Sequence, residues 1–522
     1  MYPLALVGGF LYEKKQGAMM TAVRARDAGE AGKDLSRAAT SGFVWLLVQS
    51  FAARGIGFFS QLILARLLLP ADFGAIGLAY TVTGVANSLV SFGVDDVLLQ
   101  RQKSIRWWST PAFWLCLGLG TLGMVVMIAA APFAARWYHA PELVGLIAAI
   151  AVATPLRTLA TVPAVRIRAE MDFRFLATFN TFDIFALQVL TIVFAACGLG
   201  AYSFAIPFPI LAAVRAVWFW RRSPPEIRNR ARVVQLRYLM SNSSVVFLTK
   251  TLIEIVNQGD YIVLGLIASQ SIVGFYFFAF RFSVQPVRML AGNFTNVLFP
   301  ALAQLRYDPA RQTQAAVKAC RLLAFLVMPF CFLQAALARP GLHLLFGERW
   351  MDAVPYVQIL SIGLPFDAIS WITGALLSAR REFRRAFVYA LVSTPAFFGL
   401  VLLGAWLGQA MGVAIAVGVY YFVYPPATSF LVLCKSGVSW RAVVDFYLSP
   451  SALAAVAVGL GQLGAASSAF AGHDFAQCMV IGVACCVAYP ALVFVFKRDM
   501  FEQIAQRFRN MSGKLGRKLS AA

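Results

Sequence analysis

Long apolar runs separated by short polar segments organise the chain from residue 41 onward. Each run is about 20 residues or more, the length a helix needs to cross a hydrocarbon core of roughly 30 Å. The pattern predicts fourteen transmembrane helices, at about 41–65, 73–98, 110–133, 143–165, 176–197, 199–220, 238–266, 271–299, 318–339, 353–378, 386–407, 409–434, 448–470 and 475–496. The close pairs 176–220 and 386–434 are divided by short turns carrying Gly198/Gly200 and Gly404/Gly408. Prolines recur inside the runs, among them Pro155, Pro286, Pro329 and Pro365. In a membrane bundle they predict kinks that neighbours and waters satisfy. The expected fold class is an all-α polytopic membrane protein. Residues 1–40 hold only a short apolar stretch with no basic region before it. They read as a cytoplasmic tail, with Met19 and Met20 as alternative starts, rather than as a signal peptide.

Composition narrows the class. The 522 residues are 60% hydrophobic and only 13% charged, against about 25% charged in soluble domains. The formal net charge is +22, but the basic residues form no single patch that would suit nucleic acid. Thirty-five of the 45 lysines and arginines fall in alternate inter-helix segments and the two ends, and only Arg66, Arg136, Arg339 and Arg349 in the others. Basic segments stay on the cytoplasmic side, so both termini are expected inside, with anionic membrane lipid against the basic loops. The eight cysteines lack zinc-ligand spacing and read as packing residues.

A 200-residue shift lays the first hairpin over residues 241–300 without a gap, matching Gly74 to Gly274 and Leu64 to Leu264. The spacing predicts two six-helix lobes, 41–237 and 238–434, joined by the basic segment 221–237. Residues 435–522 add two spans and a basic tail, after the 1–40 tail and the two lobes.

Charges inside the apolar runs are the candidate chemistry. Arg54 lies halfway along the first run, where a cation costs about 2.5–3.5 kcal/mol on insertion scales. Under the shift it aligns with Glu254, which lies four residues after Lys250 on one helical face. That pair reads either as self-neutralising or as cavity lining. Arg281, Gln285, Arg288 and Gly292 fall on one stripe, as do Thr83, Asn87, Ser91 and Asp95. Arg157 and Asp183 read as a structural pair, Arg215 as close enough to the inside to snorkel, and Asp260 and Asp367 stay unassigned. The candidate cavity is therefore Arg54, Lys250, Glu254, Arg281, Arg288 and Asn87. Guanidinium groups in a low-dielectric site favour a phosphate-type anion, which they bind in bidentate fashion.

The turn Ala65-Arg66-Leu67-Leu68-Leu69-Pro70 with Asp72-Phe73-Gly74 carries a resemblance, as do Ser88-Leu89-Val90-Ser91-Phe92-Gly93-Val94 and Leu98-Leu99-Gln100-Arg101. This stretch resembles the first helical hairpin of the polysaccharide flippases, in the multidrug/oligosaccharidyl-lipid/polysaccharide exporter superfamily. The resemblance implies a bacterial cytoplasmic-membrane transporter. It would flip a polyprenyl-pyrophosphate-linked oligosaccharide for lipopolysaccharide or exopolysaccharide synthesis, with a polysaccharide polymerase and glycosyltransferases as further candidate partners. No cofactor, metal or catalytic residue is expected. The sequence contains no GxxxxGK[ST] loop, Ser/His/Asp arrangement or metal-spaced histidine cluster. Two alternatives remain. A multidrug cation antiporter of the same superfamily wants acids in the first helix, and 41–65 contains none. A membrane polymerase or ligase wants a substantial outer loop, and the longest, about 340–352, is short.

Overall fold

The computed structural model describes residues 55–57, 59–90 and 105–502, apart from 171, 226, 228–232, 467–472 and 501, with Val94 and Leu98 between them. Every regular element among the described residues is helical. The longer ones, in order, are α1 (Gly55–Leu67), α2 (Pro70–Val90), α3 (Ile105–Trp137), α4 (Leu143–Leu159), α5 (Thr161–Ala169), α6 (Phe173–Ala196), α7 (Pro207–Arg222) and α8 (Val233–Ile267). They continue with α9 (Gln270–Ser283), α10 (Gln285–Gln304), α11 (Pro309–Phe346), α12 (Val354–Gly363), α13 (Ala368–Ala379), α14 (Phe383–Lys435), α15 (Trp440–Ala465) and α16 (Asp474–Phe496).

Eight helical segments among the described residues are long and apolar enough to cross a membrane, and α4 with α5, bent by 41°, makes a ninth. The chain is a multi-pass membrane protein. α1, α2, α8, α9 and α10 are not among these segments, and they carry the polar residues of interest. A helix walled by protein can keep side chains that lipid would reject. The expected count of fourteen rests partly on residues outside those described. Within α14 the helix breaks at Gly408 and Gln409. A Cβ on Gly404 would lie 2.3 Å from the Gly412 carbonyl oxygen, so α14 is an antiparallel hairpin of two spans, as expected for 386–434. Gly404 is the close contact of that hairpin rather than its turn. Gly198 and Gly200 take the positive φ values of 79° and 53° that the other expected turn requires.

The prolines act through a shared device. Proline lacks an N–H and so frees the carbonyl four residues earlier. Pro163 frees Leu159, whose carbonyl accepts from Trp220 Nε1 at 2.9 Å. Pro286 frees Phe282, which accepts from Gln334 Nε2 at 2.9 Å. Pro329 frees Phe325, which accepts from the Tyr489 hydroxyl at 2.9 Å. Each freed carbonyl is thereby tied to a different helix, because lipid offers it no partner.

α2 and α9 cross backbone to backbone. A Cβ on Gly74 would lie 1.9 Å from the Gln270 carbonyl oxygen, and one on Gly274 would lie 1.8 Å from that of Pro70. The contact is reciprocal between positions 200 residues apart. Beside it, Trp350 is fully buried. Its indole donates to the Ala65 carbonyl at 3.0 Å. Its ring lies 5.1 Å from Phe73 and 4.3 Å from Phe278. The stretch expected as an outer loop, about 340–352, is thus mostly the end of α11 and a 3-10 turn at Glu348–Ala353 that inserts a core side chain. His343, in the last turn of α11, sits between Glu348, at 3.0 Å, and Asp474 at the start of α16. It satisfies both carboxylates when both ring nitrogens carry protons.

Candidate functional site

α2, α4, α7 and α8 enclose a polar cavity of about 300 Å³. α2 contributes Tyr80, Thr83, Gly84 and Asn87, α4 contributes Thr154 and Arg157, α7 contributes Phe208, and α8 contributes Gln258. The residues of α2 recur every three or four positions, so one helical face supplies them. Thr83 is buried and donates its hydroxyl to the Ala79 carbonyl at 2.9 Å. Thr154 donates to Asn87 Oδ1 at 3.3 Å, which leaves the Asn87 amide hydrogens to the cavity. Gln258 Nε2 donates to Glu254 Oε1 at 2.8 Å, which leaves its own carbonyl oxygen as an acceptor. Gly84 admits this pair. A Cβ there would stand 3.0 Å from both Glu254 Oε1 and Gln258 Nε2.

Two cations reach the site. The Arg157 guanidinium lies over the Phe208 ring at 5.0 Å. That of Arg281 lies over Phe277 at 5.2 Å, and Phe277 is 6.1 Å from Tyr80, centroid to centroid. Of the two, Arg157 is itself a lining residue. Stacking on aromatic faces holds an arginine while leaving its hydrogens free to bind.

The structure brings together only part of the expected set. Asn87 lines the cavity, Glu254 adjoins it through Gln258, and Arg281 approaches from α9. Lys250 and Arg288 are exposed on α8 and α10 and are not among the lining residues. Arg54 lies outside the described residues, as do Ser91 and Asp95. The expected Arg281 stripe is interrupted at Val284, where α9 gives way to α10. Beyond that point Gln285 lines a second cavity of about 400 Å³, with Gln61, Phe282, Met289 and Phe330, whose walls are almost wholly apolar. Gly292 faces Trp371, 3.5 Å from where a Cβ would stand.

Arg157 is the residue that sequence reasoning misplaced. The expected Arg157–Asp183 pair is absent. Asp183 pairs instead with Arg215 at 3.8 Å, and the Arg215 guanidinium is stacked on Phe179 and Phe219. The signal available in the sequence was the spacing of Thr154 and Arg157 on α4. Nothing in it placed that face against α2. Asp260 is buried and accepts from the Tyr276 hydroxyl at 2.7 Å and from the Tyr261 backbone N–H at 2.9 Å. Asp367 accepts from Trp371 Nε1 at 2.9 Å and from the Ser370 hydroxyl. Both acids are thus satisfied by neutral donors.

Comparison with known proteins gives the following. Residues 63–355 match the family described as polysaccharide biosynthesis protein. The chain is 24% identical to the lipopolysaccharide biosynthesis protein WzxC of Escherichia coli over 443 residues, covering 81% of this chain and 88% of that protein. It is 26% identical to the succinoglycan biosynthesis transport protein ExoT of Rhizobium meliloti over 325 residues, covering 61% of this chain and 64% of that protein. Its fold is similar to the lipid II flippase MurJ in an inward closed conformation, with a TM-score of 0.71 over 88% of this chain and 99% of that one, at 13% identity.

Proposed function

Because this chain belongs to the polysaccharide biosynthesis protein family, we propose that it flips a polyprenyl-pyrophosphate-linked oligosaccharide from the inner to the outer leaflet of the bacterial cytoplasmic membrane. The observation that carries this reading is the pairing of two unlike cavities in one apolar bundle. The polar one offers guanidinium, amide and carbonyl groups, which suit an anionic, hydroxyl-rich headgroup. The apolar one, between α1, α10 and α11, suits a prenyl tail. WzxC and ExoT bear names from polysaccharide synthesis, and ExoT is named a transport protein. Lobes 41–237 and 238–434 would alternate around the cavity, and the reciprocal Gly74/Gly274 crossing supports a pseudo-two-fold relation between them.

The cation set to test first is Arg54 with Arg281. The Arg54→Ala/Arg281→Ala protein is expected to lose export of surface polysaccharide in a deletion strain, at membrane levels matched by immunoblot. Lysine replacements should retain part of it, because a point charge survives while the bidentate geometry is lost. Full export from the double alanine protein would sink the cationic-cavity mechanism.

Orientation follows the charge distribution, with both termini cytoplasmic. Reporter fusions at Arg381 should read inside, and those at His343 and His473 outside. An inside reading at His343 would overturn this topology.

A further inference from the structure

His343 ends α11 with a carboxylate on each side of its ring. Nδ1 faces Asp474 Oδ2 at the start of α16, and Nε2 lies 3.0 Å from Glu348 Oε1. Glu348 opens the 3-10 turn, which leaves α11 at Gly347, where φ is 78°. Two residues on, Trp350 reaches across to the Ala65 carbonyl and to the ring of Phe73. The imidazole thus stands between α16 and the turn whose tryptophan joins residues 41–237 to residues 238–434. The other titratable or charged groups at this end are Arg339 on α11, Arg349 and Asp352 on the turn, His473 before α16, and Arg66 on α1, which donates to the Leu345 carbonyl at 3.5 Å. α12 and α13 carry no charge, and α10 and α15 carry Arg288, Arg441 and Asp445. Among the described residues only Asp474 and Glu348 hydrogen-bond the ring.

We propose that His343 is a proton-operated clip on the outer closure of this protein: the imidazolium fixes the turn at Glu348, and loss of one proton releases it. A neutral imidazole keeps one N–H and turns a lone pair toward its other neighbour. Asp474 retains that N–H, because its side chain is 29% exposed against 85% for Glu348, and the more exposed carboxylate exchanges its partner for water at little cost. Glu348 then faces the Nε2 lone pair and swings into solvent, which removes the side-chain tie between the turn and the end of α11. Histidine ordinarily takes up its second proton near pH 6.5, and two adjacent carboxylates favour the charged form. The clip is therefore closed at low pH and opens as the pH rises. It lies on the face that the charge distribution places outside, so the outer compartment supplies the proton. Its bearing on export rests on the transport reading above.

The test uses the full chain in detergent, with reactive native thiols removed and spin labels on cysteines placed at Leu69 and Arg349, exposed positions on the two sides of the Trp350 contact. Pulsed electron paramagnetic resonance reads the distance between them at about pH 5.5 and about pH 8.5, on either side of the ordinary histidine value. A single short distance is expected at the lower pH. At the higher pH a longer population should grow by about threefold, within the reach of a half-exposed ion pair. His343→Gln, whose one amide nitrogen cannot serve both carboxylates, should show the longer population at both pH values. Glu348→Gln should show it at neither, because its amide donates to Nε2 of the neutral ring while the Nδ1–H stays on Asp474. A merely structural ion pair predicts instead that both substitutions loosen the turn alike. Distances that ignore pH in the labelled chain, or a loosened Glu348→Gln protein, overturn the clip. In the deletion strain, export by the original chain at the lower external pH should fall about threefold below that of His343→Gln in the same medium. Equal export by the two overturns the role of the clip in transport. Distances that respond to pH in a chain that exports nothing at either pH defeat the transport reading and leave the clip standing.

Discussion

Replacing Gly274 with alanine is expected to stop export although the protein still inserts. Two effects of opposite sign act at this position. Alanine favours a helix over glycine by about 0.8–1.0 kcal/mol, so local propensity alone predicts a gain. The added Cβ, however, would stand 1.8 Å from the Pro70 carbonyl oxygen. A backbone oxygen cannot rotate away as the end of a flexible side chain can. α2 and α9 must therefore separate by more than an ångström, and overpacking of this kind costs about 3 kcal/mol, the upper end of its usual range. Packing outweighs propensity by about 2 kcal/mol, which disfavours the crossed arrangement by more than tenfold. Gly74→Ala should behave alike, since its Cβ meets the Gln270 carbonyl oxygen at 1.9 Å. The direct readout is oxidative cross-linking of a Pro70→Cys/Gln270→Cys pair in a background with reactive thiols removed. It should fall sharply when Gly274→Ala is added. Undiminished cross-linking together with full export would refute the account of this crossing.

Trp350→Ala should be the most destabilising single side-chain truncation in the same region. Removing a fully buried large aromatic costs about 3–5 kcal/mol. Here the loss also strips the Ala65 carbonyl of its donor and Phe73 and Phe278 of a ring neighbour. Trp350→Phe separates the contributions. It keeps an aromatic ring in the site and loses mainly the hydrogen bond, a net effect of about 1 kcal/mol. The apparent Tm in detergent should therefore order as original chain, then phenylalanine, then alanine, with the larger step between the last two. An alanine protein that melts with the original chain would mean that Trp350 does not hold α1 and α2 to the 3-10 turn.

Much of the fold was legible in the chain, because bilayer insertion imposes rules that act on each segment separately. Span length, turn glycines and the distribution of basic residues need no knowledge of neighbours. The family was legible too, on the motif between Ala65 and Arg101. Thr83 and Asn87 do share one face of α2, since one helical face is a local property.

What failed were statements about which helix faces which. Arg157 and Asp183 are both charges in apolar surroundings on consecutive spans, and pairing them satisfies the sequence equally well. The choice of Arg215 for Asp183 depends on α6 and α7 packing through Phe179 and Phe219. Likewise the stripe from Arg281 to Gly292 assumes one uninterrupted helix. The break at Val284, with Pro286 just beyond it, sends Gln285 to an apolar cavity instead. Trp350 was hidden inside a presumed loop because a short polar stretch with Glu348, Arg349 and Asp352 reads as exposed.

The sequence by itself determined that the chain is a helical membrane protein, where most of its spans lie, and that cations sit inside some of them. Periodicity and hydropathy are properties of a single helix in a slab of lipid, so they survive without tertiary information. Only the tertiary structure decided which cation is stacked beside the polar cavity, which arginine Asp183 pairs with, and which carbonyls freed by proline are capped by Trp220, Gln334 and Tyr489. Each of these depends on contacts of a few ångströms between segments far apart in the chain, and such contacts leave no period in the sequence.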